Sequence, residues 1–99
     1  MLHEYSRMEL LIGEEGLKRL KNARVAVFGI GGVGSYVAEA LARCGIGTLI
    51  LVDNDQVSLT NLNRQLIALH STVGQAKTEV MKDRIRDINP EIVVLSLIH

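Results

Sequence analysis

The sequence predicts an α/β fold built on a parallel sheet. Three short runs of mainly aliphatic and β-branched residues, at positions 24–29, 48–52 and 92–98, have the composition of strands that are buried on both faces. The segments between these runs repeat apolar residues every three to four positions, which is the period of an amphipathic helix. Strands that alternate with helices in this way pair in parallel, which predicts three strands with flanking helices.

Helical spacing of apolar residues occurs in three segments. Residues 5–22 predict one or two short helices, because Gly13 and Gly16 interrupt the pattern. Residues 33–44 predict a second helix, which ends at Gly45. Residues 75–88 predict the clearest amphipathic helix, and it ends before Pro90 because proline disfavours helical geometry in the preceding residue. Residues 58–69 are polar and then apolar, and predict a loop that leads into a short helix.

Composition excludes several classes of protein. The chain has 99 residues, about the size of one small domain, and its 11 basic and 11 acidic residues give no support to a broad polyanion-binding surface. No run approaches the eighteen apolar residues of a membrane span, so we expect no membrane association. The single cysteine, Cys44, can form neither an internal disulfide nor a cysteine-based zinc site. These features predict a reduced, cytoplasmic protein.

A glycine-rich turn joins the first strand to the following helix. Residues 29–34 fit the pattern G-x-G-x-x-G, in which the first glycine permits a tight turn, the second admits a phosphate to the backbone, and the third lets the helix pack on the strand. Asp53 ends the second strand, nineteen residues after Gly34, where a carboxylate can accept hydrogen bonds from ribose hydroxyls. The turn therefore predicts a nucleotide site, and by itself it fits NAD as well as ATP.

Two cations that follow the second strand favour ATP. A dehydrogenase needs few cations at this position, because its pyrophosphate rests on backbone amides and the nicotinamide performs the chemistry. A triphosphate needs more, and Arg64 and Lys77 are placed to hold its phosphates and to offset charge on a pyrophosphate leaving group. An NAD-dependent oxidoreductase half-domain and a non-catalytic dimerisation module remain as alternatives.

Three segments together resemble one enzyme family. Residues 29–35 (Gly-Ile-Gly-Gly-Val-Gly-Ser), 52–65 (Val-Asp-Asn-Asp-Gln-Val-Ser-Leu-Thr-Asn-Leu-Asn-Arg-Gln) and 73–77 (Val-Gly-Gln-Ala-Lys) resemble the adenylating enzymes related to ubiquitin-activating enzyme, of the ThiF/MoeB/HesA type. Within that family, residues 38–47 and 60–65 are most similar to the tRNA threonylcarbamoyladenosine dehydratases. The resemblance implies ATP-dependent adenylation of a carboxylate as part of such a dehydratase. The alternative within the family is adenylation of a sulfur-carrier or ubiquitin-like protein.

The resemblance also implies the roles of individual residues. The glycine turn would line the phosphates, Asp53 would bind the ribose, and Asn61 would contact the triphosphate. Arg64 and Lys77 would contact the triphosphate and act in catalysis, as would Arg7, which in family dimers reaches into the partner's site. The full set of implied nucleotide-binding positions is Gly29, Gly31, Gly32, Gly34, Asp53, Asp55, Asn61, Arg64 and Lys77. Asp55 lies near the nucleotide without an assigned role.

Family membership would make residues 1–99 the N-terminal part of a nucleotide-binding adenylation domain. The fold would be the first half of a Rossmann-like, doubly wound parallel sheet. ATP implies Mg²⁺, but the family's magnesium-binding aspartate follows the next strand, beyond residue 99, so the chain is assigned no metal ligand. This portion alone is therefore expected to be inactive. A homodimer is expected, and tRNA or a carrier protein would be the substrate of the whole protein.

Overall fold

The computed structural model describes residues 5–98 and confirms the α/β fold. The helices are α1 (Ser6–Asn22), α2 (Gly32–Cys44) and α3 (Lys77–Ile88), and the strands are β1 (Arg24–Phe28), β2 (Thr48–Val52) and β3 (Val93–Leu97). A single turn of 3-10 helix spans Leu59–Asn61. Each strand lies within one residue of its predicted bounds, because the short apolar runs are flanked by glycine or polar residues that end them.

The sheet has the order β1-β2-β3, and both strand pairs are parallel. The register aligns Phe28 with Val52 and Val52 with Leu97. The carboxyl ends of all three strands therefore meet at one edge of the sheet. The glycine turn after β1 and the acidic segment after β2 both start from that edge, which positions them side by side.

Only one face of the sheet is covered within residues 5–98, so the expectation of strands buried on both faces is wrong for this part of the chain. Val27, Leu49, Leu51 and Val94 are buried against α2 and α3, whereas Phe28 on the opposite face is 77% exposed. Right-handed crossovers that advance in one direction along a sheet place their helices on the same face. Both crossovers here advance from β1 towards β3, and they leave the other face apolar and open.

The first helix is interrupted at Gly13, whose φ of 76° and ψ of 173° are not helical, so the pattern of one or two short helices is confirmed as two helical segments. Its C-terminal end is tied to the amino ends of the strands, where the Gly47 N–H donates to Leu20 O at 3.0 Å. At its N-terminal end, the Tyr5 ring contacts Gly45, and the Tyr5 hydroxyl accepts a hydrogen bond from Asn89 Nδ2. Both ends of α1 thus lie near the amino ends of the strands, whereas the glycine turn lies at their carboxyl ends.

The short helix predicted within residues 58–69 is wrong beyond the 3-10 turn. Asn61 caps this turn by accepting the Ser58 N–H at 2.9 Å. The chain does not go on as a helix, because Thr72 Oγ1 donates to Ile67 O at 2.6 Å and so occupies a carbonyl that a helix would bond through its backbone. The third helix begins at Lys77 rather than at residue 75, because residues 74–77 form hydrogen bonds with residues 55–57 instead. This pairing brings the start of α3 to the carboxyl end of β2.

One ion-pair cluster joins the two helices that cover the sheet. Glu39 on α2 accepts a hydrogen bond from Arg84 Nε on α3, and its other carboxylate oxygen lies 3.4 Å from Arg43 Nε. The hydrogen bond from Arg84 holds the pKa of Glu39 below its ordinary value, against partial burial, which raises it. The charges of both arginines act in the same direction as the hydrogen bond.

Candidate functional site

The glycine turn is a tight connection that needs glycine at two positions for different reasons. Gly29 has a φ of +86°, which side-chain-bearing residues rarely adopt, and its N–H donates to Val52 O at 2.8 Å. A Cβ at Gly34 would lie 1.7 Å from Gly29 O, so α2 can start this close to β1 only without a side chain there. These two requirements fix the direction in which α2 leaves the sheet.

The start of α2 presents backbone donors to the space above the turn. Gly31 is the N-cap residue, and no side chain among the described residues caps this end. The first N–H groups of a helix have no partner within the helix and carry its positive dipole end, which suits an anion. Ser35, buried behind the turn, donates its hydroxyl to Gly31 O and helps hold this conformation. A Cβ at Gly32 would meet nothing within 4 Å, so the space beside these donors is open.

Asp53 connects the glycine turn to the segment after β2. Its Oδ2 accepts the N–H of Ile30, inside the turn, at 2.6 Å. Its Oδ1 accepts the N–H of Asp55 at 2.7 Å. The carboxylate therefore stabilises the glycine turn, a bracing role that the sequence did not predict. It also lies where a ribose is expected.

Lys77 joins the site through Asp55. The Lys77 N–H donates to Asp55 O at 3.1 Å, and Lys77 Nζ lies 4.0 Å from Asp55 Oδ2. The Lys77 side chain is only 9% exposed, whereas that of Asp55 is 67% exposed. The stem of Lys77 is therefore buried, while its ammonium has one carboxylate partner among the described residues, at 4.0 Å, and is available to a further anion in the cleft. Lys77, Asp53, Asp55 and the glycine turn line one open cleft of about 590 Å³.

The other two polar residues assigned to the triphosphate lie outside the lining of this cleft. Arg64 is exposed, and its Nη1 donates to Thr60 O at 3.0 Å and to Asn63 Oδ1 at 2.9 Å. Asn61 is buried, and its side-chain oxygen caps the 3-10 turn by accepting from Ser58. Both side chains are held by their own loop, which lies next to the cleft because the following residue, Gln65, packs against Gly31.

Gln65 was not among the sequence-based candidates. A Cβ at Gly31 would lie 3.6 Å from Gln65 Nε2, so the amide stands directly beside the glycine turn. Its Oε1 is buried and accepts no hydrogen bond from the described residues. The sequence carries no signal for this contact beyond the position of Gln65 at the end of the Thr-Asn-Leu-Asn-Arg-Gln segment.

Arg7 does not reach the cleft of its own chain. It is exposed on α1, two residues from Tyr5, which packs at the amino ends of the strands. The five residues of β2 separate that end from the cleft by about 13 Å along the strand. Residues 5–98 contain no cluster of three potential metal-ligating side chains, and none of their helices could cross a membrane.

Comparison with known proteins gives the family of this chain. Residues 5–98 match the sequence profile of the ThiF family. The tRNA threonylcarbamoyladenosine dehydratase of Bacillus subtilis is 64% identical over 97 residues, which make up 98% of this chain and 38% of that protein. The molybdopterin-synthase adenylyltransferase of Salmonella typhimurium is 45% identical over 92 residues, or 91% of this chain and 37% of that protein.

A solved structure extends the likeness to three dimensions. The crystal structure of the Escherichia coli tRNA N6-threonylcarbamoyladenosine dehydratase in complex with ATP matches with a TM-score of 0.95 at 50% identity, over 97% of this chain and 40% of that chain. The present chain thus spans about two fifths of the length of these relatives. Since the family profile covers residues 5–98, nearly the whole chain, the chain belongs to the ThiF family.

Proposed function

We propose that this chain forms the nucleotide-binding part of an ATP-dependent enzyme that adenylates a carboxylate, as part of a tRNA threonylcarbamoyladenosine dehydratase. The proposal is supported by 64% identity to the dehydratase of B. subtilis and by the ATP complex of the E. coli dehydratase, at 50% identity. Because the chain spans about two fifths of these relatives, the activity is proposed for the protein that contains it rather than for residues 1–99 alone.

The observation that carries the proposal is the chain of contacts from the glycine turn to Lys77. Ile30 donates to Asp53, Asp53 accepts from Asp55, and Asp55 pairs with Lys77 through both backbone and side chain. This linkage sets the ammonium of Lys77 in the same cleft as backbone donors that already favour an anion. A cradle of amides with an added cation suits a triphosphate better than the pyrophosphate of NAD.

The described residues act on the nucleotide by binding and by charge. Bound ATP supplies the adenylyl group that a carboxylate oxygen acquires when pyrophosphate leaves. The amides at the start of α2 hold phosphate oxygens, and Lys77 offsets the negative charge that grows on the departing pyrophosphate. Arg64 adds a second cation when its loop turns its guanidinium from Thr60 and Asn63 towards the phosphates. Asp53 orients the nucleotide through its ribose while bracing the turn.

Magnesium fits this arrangement only in part. Asp53 and Asp55 line the cleft, but both Asp53 oxygens already accept backbone N–H groups, and Asp55 faces Lys77. Residues 5–98 therefore offer phosphate-binding groups and no set of acidic ligands for the ion. We propose that Mg²⁺ binds with the triphosphate and takes its protein ligand from a segment that follows this chain.

The acceptor that we propose is the modified adenosine of tRNA, which places the protein in the cytoplasm. A carrier protein is the second candidate, favoured by the 45% identity to the molybdopterin-synthase adenylyltransferase of S. typhimurium. We give tRNA precedence because the identity to the dehydratase of B. subtilis is higher and extends over more of the chain. Because residues 1–99 have a formal net charge of zero, we propose that the main tRNA-binding surface lies in another part of the protein.

We further propose a homodimer in which Arg7 of each copy serves the partner's cleft. Arg7 lies at the end of the sheet away from its own cleft, so only the cleft of another copy is open to it. The exposed Leu10 and Leu11 on the same helical segment add apolar surface that a second copy would cover. Light scattering of the protein and of Leu10→Glu tests this association, and the variant is expected to be monomeric.

Calorimetric titration with ATP and with NAD tests the nucleotide assignment. We expect the purified protein to bind ATP, and inorganic triphosphate more weakly, with no heat of binding for NAD at the same concentrations. Lys77→Met is the informative variant, because it removes the ammonium and retains the apolar stem. Binding of NAD in preference to ATP, or equal ATP affinity in Lys77→Met, would overturn the proposal.

A further inference from the structure

Gln65 is a polar side chain next to Gly31, which lines the cleft, and its amide forms no hydrogen bond with the described residues. Its backbone is fixed by hydrogen bonds to Asn61 O at 3.0 Å and from Ala68 N at 3.0 Å. The side-chain amide is thereby pressed against Gly31, with Nε2 3.6 Å and Cδ 3.9 Å from the position that a Gly31 Cβ would occupy. The placement comes from the loop, and the amide itself forms none of the hydrogen bonds that hold the loop together.

The amide is also unpartnered where partners are normally required. Gln65 Oε1 is buried without a hydrogen-bond donor, and Nε2 donates to no acceptor among residues 5–98. Buried polar groups in folded proteins are almost always hydrogen-bonded, and an unmet one is costly. An apolar side chain of the same length would pack against Gly31 without that cost. The unmet Oε1 shows that the fold does not require a glutamine here, and the Nε2 N–H groups beside Gly31 remain available to a ligand that accepts hydrogen bonds.

We propose that Gln65 is a further nucleotide-binding residue, whose Nε2 donates a hydrogen bond to a phosphate oxygen held above Gly31. The inference rests on the proposed function, since it requires a phosphate in the cleft. Phosphate oxygens are acceptors and the carboxamide nitrogen has two N–H donors, so donor and acceptor are matched. Gln65 thereby adds a neutral donor beside Gly31 to the charged pair formed by Lys77 and Asp55.

This role explains why the loop from Ser58 to Gln65 is so closely tied together. Asn61 caps its first turn and Arg64 binds back onto Thr60 and Asn63, so the backbone reaches Gln65 in a defined conformation. A side chain placed in advance loses less conformational entropy when it binds. The loop thereby contributes to the site through Gln65 before Arg64 moves.

Two substitutions separate ligand binding from packing. Gln65→Met keeps the length of the side chain and removes the amide, and Gln65→Glu keeps the shape, removes the donors and adds a negative charge. Gln56→Met is the matched control, because Gln56 is exposed and makes no side-chain hydrogen bond within the described residues. Affinities for ATP and for inorganic triphosphate are measured by calorimetry, and stability is measured by urea unfolding of the ligand-free protein.

We expect Gln65→Met to bind both ligands about tenfold more weakly, while its unfolding midpoint stays equal to or above that of the wild type. Gln65→Glu is expected to bind more weakly still, and Gln56→Met to behave as wild type. The inference would be overturned if Gln65→Met bound ATP and triphosphate with wild-type affinity, or if Gln65→Glu bound them as well as Gln65→Met does. It would also be overturned if the variants lost affinity only together with a lower unfolding midpoint. Failure of the wild type to bind ATP would instead overturn the proposed function on which it rests.

Discussion

Asp53 is the link between the glycine turn and Lys77, so its substitution tests whether the site behaves as one connected unit. Asp53→Asn preserves the size of the side chain but replaces one accepting oxygen by an NH₂ group, which cannot accept the N–H of Ile30 or of Asp55. A hydrogen bond to a charged group contributes about 1.5–3 kcal/mol. Loss of one of the two bonds therefore predicts a decrease of that size in the free energy of unfolding.

The same substitution is expected to weaken phosphate binding, although Asp53 itself contacts no phosphate. If about half of the lost free energy is expressed in binding, the affinity for inorganic triphosphate falls roughly 4- to 12-fold. Calorimetry with inorganic triphosphate is the decisive assay, because this ligand has no ribose. Asp87→Asn is the matched control, being the same chemical change at an exposed position on α3. Unchanged triphosphate affinity and unchanged stability in Asp53→Asn would refute the bracing role and leave a ribose contact alone.

Further predictions concern the glycine turn, Lys77 and the ion pairs of Glu39. Gly34→Ala is expected to lower the urea midpoint strongly, because its Cβ would lie 1.7 Å from Gly29 O. In Gly32→Ala the new Cβ meets no atom within 4 Å, so the urea midpoint should stay unchanged while the methyl group weakens ATP binding. In a longer protein that contains residues 1–99, Lys77→Met should abolish ATP–pyrophosphate exchange with little loss of far-UV circular dichroism, and full exchange activity would remove Lys77 from the site. Because the folded-state pKa of Glu39 is lowered, its contribution is complete above pH 4.5 and is lost as the pH falls through the lowered value. Glu39→Gln should therefore reduce stability at pH 7 and converge with the wild type in acid, and a constant difference would contradict this origin.

The strands and the glycine turn were predictable because local patterns specify them. The run Thr48–Val52 matches β2 at both ends, and the G-x-G-x-x-G turn after β1 has glycine at Gly29, where φ is positive, and at Gly34, where the helix packs closely on the turn. The strand sequences could not predict that only one face of the sheet is covered. Both faces of each strand carry mainly apolar side chains, so the pattern does not distinguish a covered face from an open one. Phe28 and Val27 are adjacent and equally apolar in kind, yet only Val27 lies under a helix.

Contacts between segments were the part of the site that the sequence could not supply. That Lys77 lies near Asp53 follows from the pairing of residues 55–57 with residues 74–77, which depends on backbone hydrogen bonds rather than on residue type. The helix predicted after Ser58 fails for a related reason, since the Thr72 hydroxyl binds the Ile67 carbonyl, a hydrogen bond that helical periodicity assigns to the backbone. Gln65 was missed because its contact is with Gly31, a residue without a side chain.

The most direct test of the central claim is the ATP-dependent loss of one water from threonylcarbamoyladenosine in tRNA, followed by mass spectrometry of the nucleosides. The assay uses a chimera in which residues 1–99 replace the matching segment of the B. subtilis dehydratase, to which they are 64% identical over 97 residues. We predict that the chimera dehydrates the modified nucleoside only when ATP is present, and that Lys77→Met in the chimera does not. A chimera that is folded and binds the tRNA yet leaves the nucleoside unchanged, beside an active parent enzyme, would contradict the account.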